Sequence, residues 1–515
     1  MTSRIITAPT LWNLLEKRTD LSPDEPMLIE TGGRVLSFLH VRDRAESLAA
    51  GLHEQGVRSG QVVAWQMPTG VDTVLLTLAL ARLGVVQNPI LHLYRERELG
   101  ELVRQSQPSL LFVPAAGPAC DYPAIARKAC PQTQVQVLSG ELPAGDPAGL
   151  PPAPGGGDTV RWIYCTSGTT SGPKAARHTD DSVMAAGYAL GEAMGVRAGD
   201  IGSIAYPFAH IGGVMYLTMV LSAGMSAVLV EKFVPEETVA VYRRLGVTHA
   251  GGSTAHYQAF LAQQRRYGDG GKVIPSLKML SAGGASKPAE LVYQLQREMD
   301  CKVLHAYGMT EAPLVAHCTL ADTDEELAHT EGRPVPGMEV RIVREDGSVA
   351  GAGETGEIWI RGRSLCKGYL DPEQTAQAFT DEGFYRTGDL GVMRETGHLS
   401  IVGRIKDIII RKGENISARE IEDLLYSHPK VGSVAVIGLP DPASGERVCA
   451  VVETEPGAEP LSFGEMVEYL ESQSLMRQKI PEQLEIVEAL PRNQALNKIL
   501  KYKLQQQFAP REQAV

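Results

Sequence analysis

The segment "YCTSGTTSGPK", residues 164–174, is rich in small and hydroxylated residues and ends in a lysine. It overlaps the end of "TVRWIYC", residues 159–165, whose β-branched and aromatic residues predict a buried strand. Glycine lets successive backbone N–H groups turn inward, hydroxyls add donors, and a lysine adds a mobile positive charge. A strand that runs into such a loop predicts a phosphate-binding site.

The spacing within this loop differs from that of the P-loop of nucleotide hydrolases. Three residues separate Gly168 from Gly172, and Pro173 stands before Lys174. The P-loop has four residues between its glycines and follows the second glycine directly with Lys-Ser or Lys-Thr. The sequence therefore disfavours a P-loop enzyme, and the alternative to a phosphate site is a hairpin loop of small polar residues.

Before this loop, helical and strand patterns alternate. Residues 38–56 have apolar residues at helical spacing, residues 61–67 read as a strand, and residues 71–84 read as a helix that ends at Gly84. This alternation predicts an α/β fold with a largely parallel sheet. The Pro/Gly-rich segment 145–158 predicts a surface loop.

The pattern changes twice after the loop. Short strand-like segments with tight turns fill residues 330–403, and beyond residue 404 helices and strands alternate again. Ser417 followed by Glu420 predicts a helix start with a capping box. We expect a large N-terminal domain (1–403, with a β-rich section at about 330–403) and a small α+β C-terminal domain (404–515).

Composition narrows the class of protein. The 515 residues carry a net charge of −12, which disfavours nucleic acid as a partner. The seven cysteines are scattered, so the sequence predicts neither a zinc site nor a disulfide framework, and a reducing cytoplasmic location fits. Residues 201–230 contain no charged side chain, but glycines and a proline interrupt them; we expect a buried helix near 212–223 and a strand near 226–230 rather than a membrane span.

Further motifs follow in a fixed order and carry a family resemblance. They are "SAGGA" (281–285), "YGMTE" (307–311), "GRPVPG" (332–337), "GETGEIWIRG" (353–362), "YRTGDL" (385–390), "GRIKDIIIRKGENISAREIE" (403–422) and "LPRNQALNKILKYKL" (490–504). Together with the phosphate-type loop, they resemble the adenylate-forming superfamily of acyl-CoA synthetases, peptide-synthetase adenylation domains and beetle luciferases. The resemblance covers nearly the whole chain.

The resemblance implies a two-step reaction. A carboxylate attacks the α-phosphate of ATP to give an acyl-adenylate and pyrophosphate, and the thiol of coenzyme A then displaces AMP. Both steps gather negative charge and need cations and oriented donors. The implied ATP-binding residues are Thr166, Ser167, Gly168, Thr169, Thr170 and Lys174 for the phosphates, Gly283, Gly284, Ala285 and Tyr307 for the adenine, and Asp389 and Arg404 for the ribose.

The same resemblance assigns the remaining roles. Glu311 would hold Mg²⁺, which usually takes only one or two protein carboxylates, and Thr310 would donate to the α-phosphate. Lys498 would bridge the carboxylate and the α-phosphate, and His210 would stand at the entrance to the acyl site. Lys406 corresponds to the hinge between the domains, and the loop that approaches coenzyme A contains Lys412 and Gly413.

The sequence departs from the family pattern at three places. Ser171 and Ala175 stand where glycines are usual, and Asp180 stands where histidine or asparagine is common. In the C-terminal motif Lys498 is one residue farther from Leu490 than usual, and Asn497 replaces a glycine. Lys501 is therefore the alternative catalytic lysine.

The acyl substrate is predicted from the segments that line its pocket. No carboxylate appears in "PFAHIGGVMYL" or "GGSTAHYQAF", so we expect an apolar acid. Four glycines there would leave volume for a bulky or alicyclic acid, with a straight fatty acid close behind; the alternative is that they serve close helix packing. They are Gly212, Gly213, Gly251 and Gly252.

The acyl acceptor has alternatives too. We expect free coenzyme A as the acceptor, and the enzymatic alternative is a carrier protein or a partner ligase. The non-enzymatic alternative is that the protein is a degenerate nucleotide-binding regulator. A homodimer is compatible with the sequence.

Overall fold

The computed structural model describes residues 5–117, 120–166, 173–267, 270–284, 287–411, 414–442, 444–493 and 498–509. Through residue 166 the elements are α1 (Leu11–Leu21), β1 (Pro26–Glu30), β2 (Val35–Ser37), α2 (Phe38–Glu54), β3 (Val62–Trp65), α3 (Val71–Leu83), β4 (Val86–Pro89), α4 (Glu96–Ser106), β5 (Leu110–Pro114), α5 (Tyr122–Ala129), β6 (Gln134–Leu138) and β7 (Val160–Thr166).

A second run of elements continues the alternation. It comprises β8 (Lys174–Thr179), α6 (Asp180–Met194), β9 (Ile201–Ile204), α7 (Ile211–Ala223), β10 (Ser226–Leu229), α8 (Pro235–Leu245), β11 (His249–Gly252), α9 (Thr254–Tyr267), β12 (Met279–Gly283), α10 (Ala289–Met299), β13 (Lys302–Tyr307), β14 (Ala316–His317), α11 (Asp324–His329) and β15 (Arg333–Pro334).

These elements build two mainly parallel sheets. One has six strands in the order β6-β5-β3-β4-β7-β8, and only its β7–β8 pair is antiparallel. The other has nine strands in the order β15-β14-β13-β12-β11-β9-β10-β1-β2, with a parallel centre and antiparallel edges. The predicted α/β class with parallel sheets is confirmed.

Local sequence patterns correctly predicted the end of α3 and the positions of α7 and β10. Gly84 ends α3 in a left-handed conformation with φ of 68°, as expected of a glycine at a helix C-terminus. The uncharged stretch 201–230 forms the buried α7 and β10. Across the described residues, no helix combines the length and apolarity needed to cross a membrane.

A four-stranded antiparallel sheet follows, as the short strand patterns predicted. Its strands are consecutive in sequence and in space, and α12 (Pro372–Ala378) lies between the second and third. They are β16 (Met338–Val343), β17 (Thr355–Gly362), β18 (Tyr385–Met393) and β19 (Leu399–Arg404). We call residues 5–404 the N-terminal lobe.

The rest of the chain, residues 408–509, forms a sheet with its own apolar clusters, and we call it the C-terminal lobe. Lys406 lies in the 3₁₀ turn Ile405–Asp407 that joins the two lobes. The elements are β20 (Ile408–Arg411), β21 (Glu414–Ser417), α13 (Ala418–Tyr426), β22 (Val431–Asp441), β23 (Gly445–Thr454), α14 (Phe463–Ser472), β24 (Gln483–Val487) and α15 (Lys501–Phe508). The domain boundary at 403/404 and a hinge at Lys406 stay predictions.

The start of α13 differs from the expectation in one respect. Ser417 is its N-cap and accepts from the backbone N–H of Glu420, at 3.4 Å. The Glu420 carboxylate does not complete a capping box, because it pairs with Lys479 Nζ at 2.7 Å. An ion pair within the C-terminal lobe has therefore replaced the local contact that the sequence predicted.

Candidate nucleotide-binding and catalytic site

The phosphate-type loop connects two antiparallel strands. Thr166 at the end of β7 pairs with Lys174 at the start of β8. The Lys174 ammonium lies 5.2 Å from the centre of the Tyr369 ring. Several predicted positions lie outside the described residues, namely Ser167, Gly168, Thr169, Thr170, Ala285, Lys412 and Gly413, and so does the side chain of Thr166.

The predicted adenine site lies at the carboxyl ends of β12 and β13. A Cβ on Gly283 would lie 2.9 Å from the carbonyl oxygen of Ala306 on the neighbouring strand, so the close approach of the two strands requires a glycine. Gly284 follows with φ of +79°, in the left-handed region that glycine favours. Tyr307 ends β13 with its ring buried. Gly284 and Tyr307 both line a large cavity.

The predicted ribose site is a hydrogen-bonded set on adjacent strands. Asp389 is buried on β18, directly opposite Arg404 on β19. Its carboxylate accepts a hydrogen bond from the Tyr307 hydroxyl at 2.6 Å and pairs with Arg404 Nε at 2.8 Å. Burial and the neighbouring Asp389 charge raise the pKa of Tyr307, which keeps its hydroxyl a donor. The carboxylate is thus oriented before any ligand arrives.

Lys498 lies in the same cavity, although it comes from the C-terminal lobe. The cavity has a volume of about 290 Å³ and is lined by residues of both lobes, among them Asp389, Arg404 and Lys498. Burial and the nearby Arg404 charge lower the pKa of Lys498 to about 8, against the pull of Asp389. An ammonium held this way is poised for a negatively charged ligand.

The alternative lysine is engaged elsewhere. Lys501 Nζ pairs with Glu422 Oε1 of α13 at 2.8 Å. Despite the extra residue in the C-terminal motif, Lys498 lines the same cavity as Asp389. The geometry favours Lys498 over Lys501 for the predicted role.

Glu311 is a second buried carboxylate with a tyrosine partner. Tyr369 donates its hydroxyl hydrogen bond to Glu311 Oε1 at 2.5 Å, and the Tyr385 hydroxyl lies 3.1 Å from that of Tyr369. Burial and the Glu311 charge raise the pKa of both tyrosines. Tyr369 was not predicted from the sequence, because no motif contains it and only the fold brings it beside Glu311, 58 positions away.

Thr310, just before Glu311, is held by a histidine that the sequence analysis also missed. His178 on β8 is buried; its Nε2 lies 2.8 Å from the Thr310 carbonyl oxygen and its Nδ1 lies 2.9 Å from Ser182 Oγ. Because a carbonyl only accepts, Nε2 carries the proton. Burial lowers the pKa of His178 to about 4, so the ring is neutral. This contact fixes the turn that carries Thr310 and Glu311.

His210 is the N-cap of α7, and its Nδ1 accepts from the Gly212 N–H at 3.1 Å. Burial lowers its pKa to about 4, so the ring is neutral and the remaining proton is on Nε2. His210 and Thr310 both line a second cavity, of about 30 Å³. His210 therefore offers a neutral donor close to the Thr310 turn.

The glycines of the predicted acyl pocket do not leave the volume that the sequence suggested. A Cβ on Gly213 would lie 2.0 Å from the Phe208 carbonyl oxygen, and one on Gly251 would lie 1.7 Å from that of Ser281. One on Gly252, where φ is +134°, would lie 3.1 Å from the His256 ring. The interpretation of Gly213 and Gly251 as room for a bulky acid is wrong, because backbone carbonyls occupy the positions that a side chain would take. The place of Gly252 in the acyl pocket stays a prediction.

Gly212 is the mildest case of the four. A Cβ there would lie 3.3 Å from His210 Nδ1 and 3.5 Å from the Tyr206 ring. The Tyr206 hydroxyl also donates to the Gly212 carbonyl at 3.1 Å. Tyr206, rather than empty space, therefore covers this face of the helix start.

The departure at Asp180 has a structural explanation. Its buried carboxylate accepts hydrogen bonds from Trp162 Nε1 at 2.8 Å and from the Leu11 N–H at 3.1 Å. Asp180 thus ties the start of α1 to the strand that leads into the phosphate-type loop. It positions the scaffold of the site and lies in neither cavity lining.

Comparison with known proteins agrees with this geometry. The chain is 29% identical to the medium-chain fatty-acid–CoA ligase of Escherichia coli over 95% of this chain and 88% of that protein. It is 31% identical to the salicyl-AMP ligase / salicyl-S-ArCP synthetase of Mycobacterium tuberculosis over 94% and 88%. Among solved structures, ATP-bound MatB from Rhodopseudomonas palustris matches with a TM-score of 0.86 and 27% identity, over 96% of this chain and 99% of that one.

Family profiles cover both lobes. Residues 15–370 match the AMP-binding enzyme family, and residues 420–495 match the C-terminal domain of AMP-binding enzymes. The resemblance that the sequence motifs suggested is confirmed. The chain belongs to the AMP-binding enzyme family, within the adenylate-forming superfamily.

Proposed function

We propose that this protein is an ATP-dependent acid–thiol ligase that converts a carboxylic acid to its acyl-adenylate and then to its coenzyme A thioester. In the first step a carboxylate oxygen attacks the α-phosphorus and pyrophosphate leaves; in the second the thiol sulfur attacks the acyl carbon and AMP leaves. The observation that carries the proposal is the shared cavity, where Lys498 of one lobe lies with Asp389 and Arg404 of the other.

The residues present fit a bound adenosine. Asp389 is a buried acceptor whose orientation Tyr307 and Arg404 fix, so it would accept from the ribose hydroxyls without reorganising. Gly284, where a Cβ would meet no atom within 4 Å, leaves the backbone beside Tyr307 open to a flat base. Preorganisation of this kind favours binding because little conformational freedom is lost.

The phosphates and Mg²⁺ would lie towards the phosphate-type loop. Glu311 supplies the carboxylate oxygen that a hard cation prefers, and Tyr369 holds that carboxylate in place. Mg²⁺ bound there would neutralise charge on the phosphates. Lys174, beside Tyr369, would bind the outer phosphates, and Thr310 would donate to the α-phosphate.

Lys498 and His210 would act on the carboxylate from opposite lobes. The ammonium would pair with the carboxylate and the α-phosphate as charge builds on the transferring oxygen. The neutral His210 Nε2–H would donate to the carboxylate. Because His210 is neutral, it adds no charge at the entrance to the acyl site, which suits an uncharged acyl chain.

We propose only that the substrate is an apolar carboxylic acid. The glycines do not leave the volume that suggested a bulky one. The acceptor is proposed to be free coenzyme A, with Lys406 as the hinge and the loop of Lys412 and Gly413 approaching the thiol. Transfer to a carrier protein or a partner ligase is the alternative. A cytoplasmic location fits the seven unpaired cysteines.

ATP–pyrophosphate exchange with a panel of acids tests the first step. We expect acid-dependent exchange for at least one of octanoate, benzoate and cyclohexanecarboxylate, and a coenzyme A thioester, identified by mass spectrometry, when coenzyme A is added. Exchange without thioester would favour the carrier or partner alternative. No exchange with any acid, in a protein that binds ATP, would contradict the proposal.

A further inference from the structure

A buried ion cluster lies at the cavity, outside the residues discussed so far. Its centre is Glu331, between α11 and β15. The Glu331 carboxylate lies 3.8 Å from Lys287 Nζ, accepts from His305 Nδ1, and lies 3.4 Å from Arg419 Nη2. Lys287, His305 and Glu331 belong to the N-terminal lobe, whereas Arg419 belongs to the C-terminal lobe. The cluster therefore joins the lobes.

The members of this cluster are not equivalent. Lys287 and Glu331 are both almost fully buried, and the Lys287 ammonium also donates to the Thr330 carbonyl. Burial opposes the charge on Glu331, but Lys287 and His305 outweigh it and hold its pKa below the ordinary value. The Glu331 charge thus has partners within its own lobe, and Arg419 is an additional partner that arrives only with the C-terminal lobe.

Arg419 belongs to one continuous face of α13. Residues 419, 422, 423 and 426 are spaced at i, i+3, i+4 and i+7, and all four line the large cavity. At one end of this face Arg419 reaches Glu331, and its Nε is held by Asp423 Oδ2 at 3.6 Å. At the other end the Tyr426 hydroxyl contacts Gln258 Nε2 of the N-terminal lobe. The face therefore docks α13 at two points.

The same face is linked to the catalytic lysine segment. Glu422, between the two docking points, pairs with Lys501 at 2.8 Å. Lys501 begins α15 and follows Lys498 by three positions. A helix docked by Arg419 thus supports the segment that delivers Lys498 to Asp389.

We infer that Arg419 is a positioning residue for adenylation, which holds α13 against Glu331 and so places Lys498 in the nucleotide cavity. The inference rests on the proposed function. It adds that the contact between Arg419 and Glu331 joins the lobes for the first half-reaction only. When the C-terminal lobe turns for thioester formation, Arg419 leaves Glu331, and Lys287 and His305 still satisfy that carboxylate. The contact is therefore dispensable for the second half-reaction.

The test compares the two half-reactions in Arg419→Gln. ATP–pyrophosphate exchange should fall about tenfold in kcat, within the range typical of coupled sites. Thioester formation from supplied acyl-adenylate, made from the best acid of the panel above, should stay at the wild-type rate. Arg419→Lys, which keeps a cation with a shorter reach, should give an intermediate exchange rate.

Glu420→Gln is the matched control. Glu420 is adjacent on the same helix, and its ion pair with Lys479 stays within the C-terminal lobe. This variant should retain normal rates in both half-reactions. Equal losses in the two half-reactions of Arg419→Gln, or an exchange defect of the same size in Glu420→Gln, would overturn the inference by pointing to general destabilisation.

Trypsin cleavage after Lys406 gives a readout that needs no acid substrate. With ATP present, Arg419→Gln should be cut several-fold faster than wild type, because its C-terminal lobe undocks more often, while Glu420→Gln should match wild type. Equal cleavage of Arg419→Gln and wild type would overturn the inference. If wild type shows no exchange with any acid, the proposed reaction fails, yet this cleavage comparison still decides whether Arg419 docks the lobe.

Discussion

The two walls of the nucleotide cavity are held in different ways. On the N-terminal wall, Tyr307, Asp389 and Arg404 come from three strands and contact one another at 2.6 and 2.8 Å. On the C-terminal wall, Lys498 comes from a lobe with a separate sheet, docked through side chains such as Arg419. One wall is complete in itself, while the other depends on how the lobes meet.

This difference separates binding from chemistry. Asp389, the proposed acceptor for the ribose, and the two groups that orient it all belong to the N-terminal lobe. Lys498, the proposed cation at the α-phosphate, belongs to the C-terminal lobe, which we propose can undock. Changes to the N-terminal wall should therefore alter ATP affinity, and changes to the C-terminal wall should alter the rate of adenylation with little effect on ATP affinity.

Lys498→Ala should produce the largest effect. Loss of a preorganised charge at the transition state costs about 3–4 kcal/mol, which corresponds to roughly 10²–10³-fold in the rate of adenylation. Thioester formation from supplied acyl-adenylate should be spared, because Lys498 is needed only in the docked arrangement. Pyrophosphate exchange and thioester assays on the same preparation measure the two effects.

Lys501→Ala is the matched control for this change. It removes a lysine three positions away whose charge is already paired with Glu422. We expect it to reduce exchange far less than Lys498→Ala does. The reverse order would show that the extra residue in the C-terminal motif shifts the catalytic position to Lys501.

The sequence predicted local features of the N-terminal lobe better than the contacts that dock the C-terminal lobe. Short local patterns or motifs predicted the strand leading to the phosphate-type loop, the end of α3 at Gly84 and the placement of Tyr307 near Asp389. Such signals are carried by neighbouring residues, or by motifs whose residues recur together.

The contacts that were missed join residues far apart in sequence. Glu331 and Arg419 are 88 positions apart, and neither belongs to a pattern that names a partner. Glu420 was predicted to cap its own helix, but Lys479, 59 positions later, takes its carboxylate. The volume beside Gly213 was misjudged because sequence does not reveal that the Phe208 backbone occupies it.

Asp389→Asn tests the independence of the N-terminal wall. Asparagine has nearly the shape of aspartate but carries no charge. The loss of hydrogen bonds to a charged group should weaken ATP binding by roughly 1.5–3 kcal/mol. The KM for ATP should rise about 10- to 100-fold with little change in the KM for the acid. Asp407→Asn, a second carboxylate that lines the cavity, should change the KM for ATP much less. Equal increases in both KM values for Asp389→Asn would contradict a ribose-specific role.

Gly213→Ala tests how tightly the N-terminal lobe is packed beside His210. The added methyl group would meet the Phe208 carbonyl at 2.0 Å, so we expect unfolding to become easier by about 1–3 kcal/mol. Gly212→Ala, one position earlier at a contact of 3.3 Å, should stay within about 1 kcal/mol of wild type because alanine also favours the helix. Thermal unfolding of the two variants measures the difference. Equal stabilities would mean that the space beside Gly213 is open.

The pH dependence of adenylation is the prediction with the smallest expected effect, and it tests the charge that the C-terminal wall contributes. The pKa of Lys498 is lowered to about 8 by burial and by Arg404, so the unliganded enzyme loses the ammonium as pH rises through that value. The kcat/KM for ATP reports the free enzyme and should fall above pH 8, approaching about tenfold per pH unit. The kcat should fall only at higher pH, because bound phosphates stabilise the ammonium.

Lys498→Arg is the control for this profile. A guanidinium keeps its charge throughout the range, so the variant should show a lower but flatter kcat/KM profile to pH 9.5. In wild type, the rate of thioester formation from supplied acyl-adenylate should not show the fall above pH 8 that Lys498 causes in adenylation. In that step Lys498 no longer lies beside Arg404. A wild-type pH profile of adenylation as flat as that of Lys498→Arg would show that Lys498 does not titrate in the nucleotide cavity. The charge on the C-terminal wall would then not explain the pH dependence.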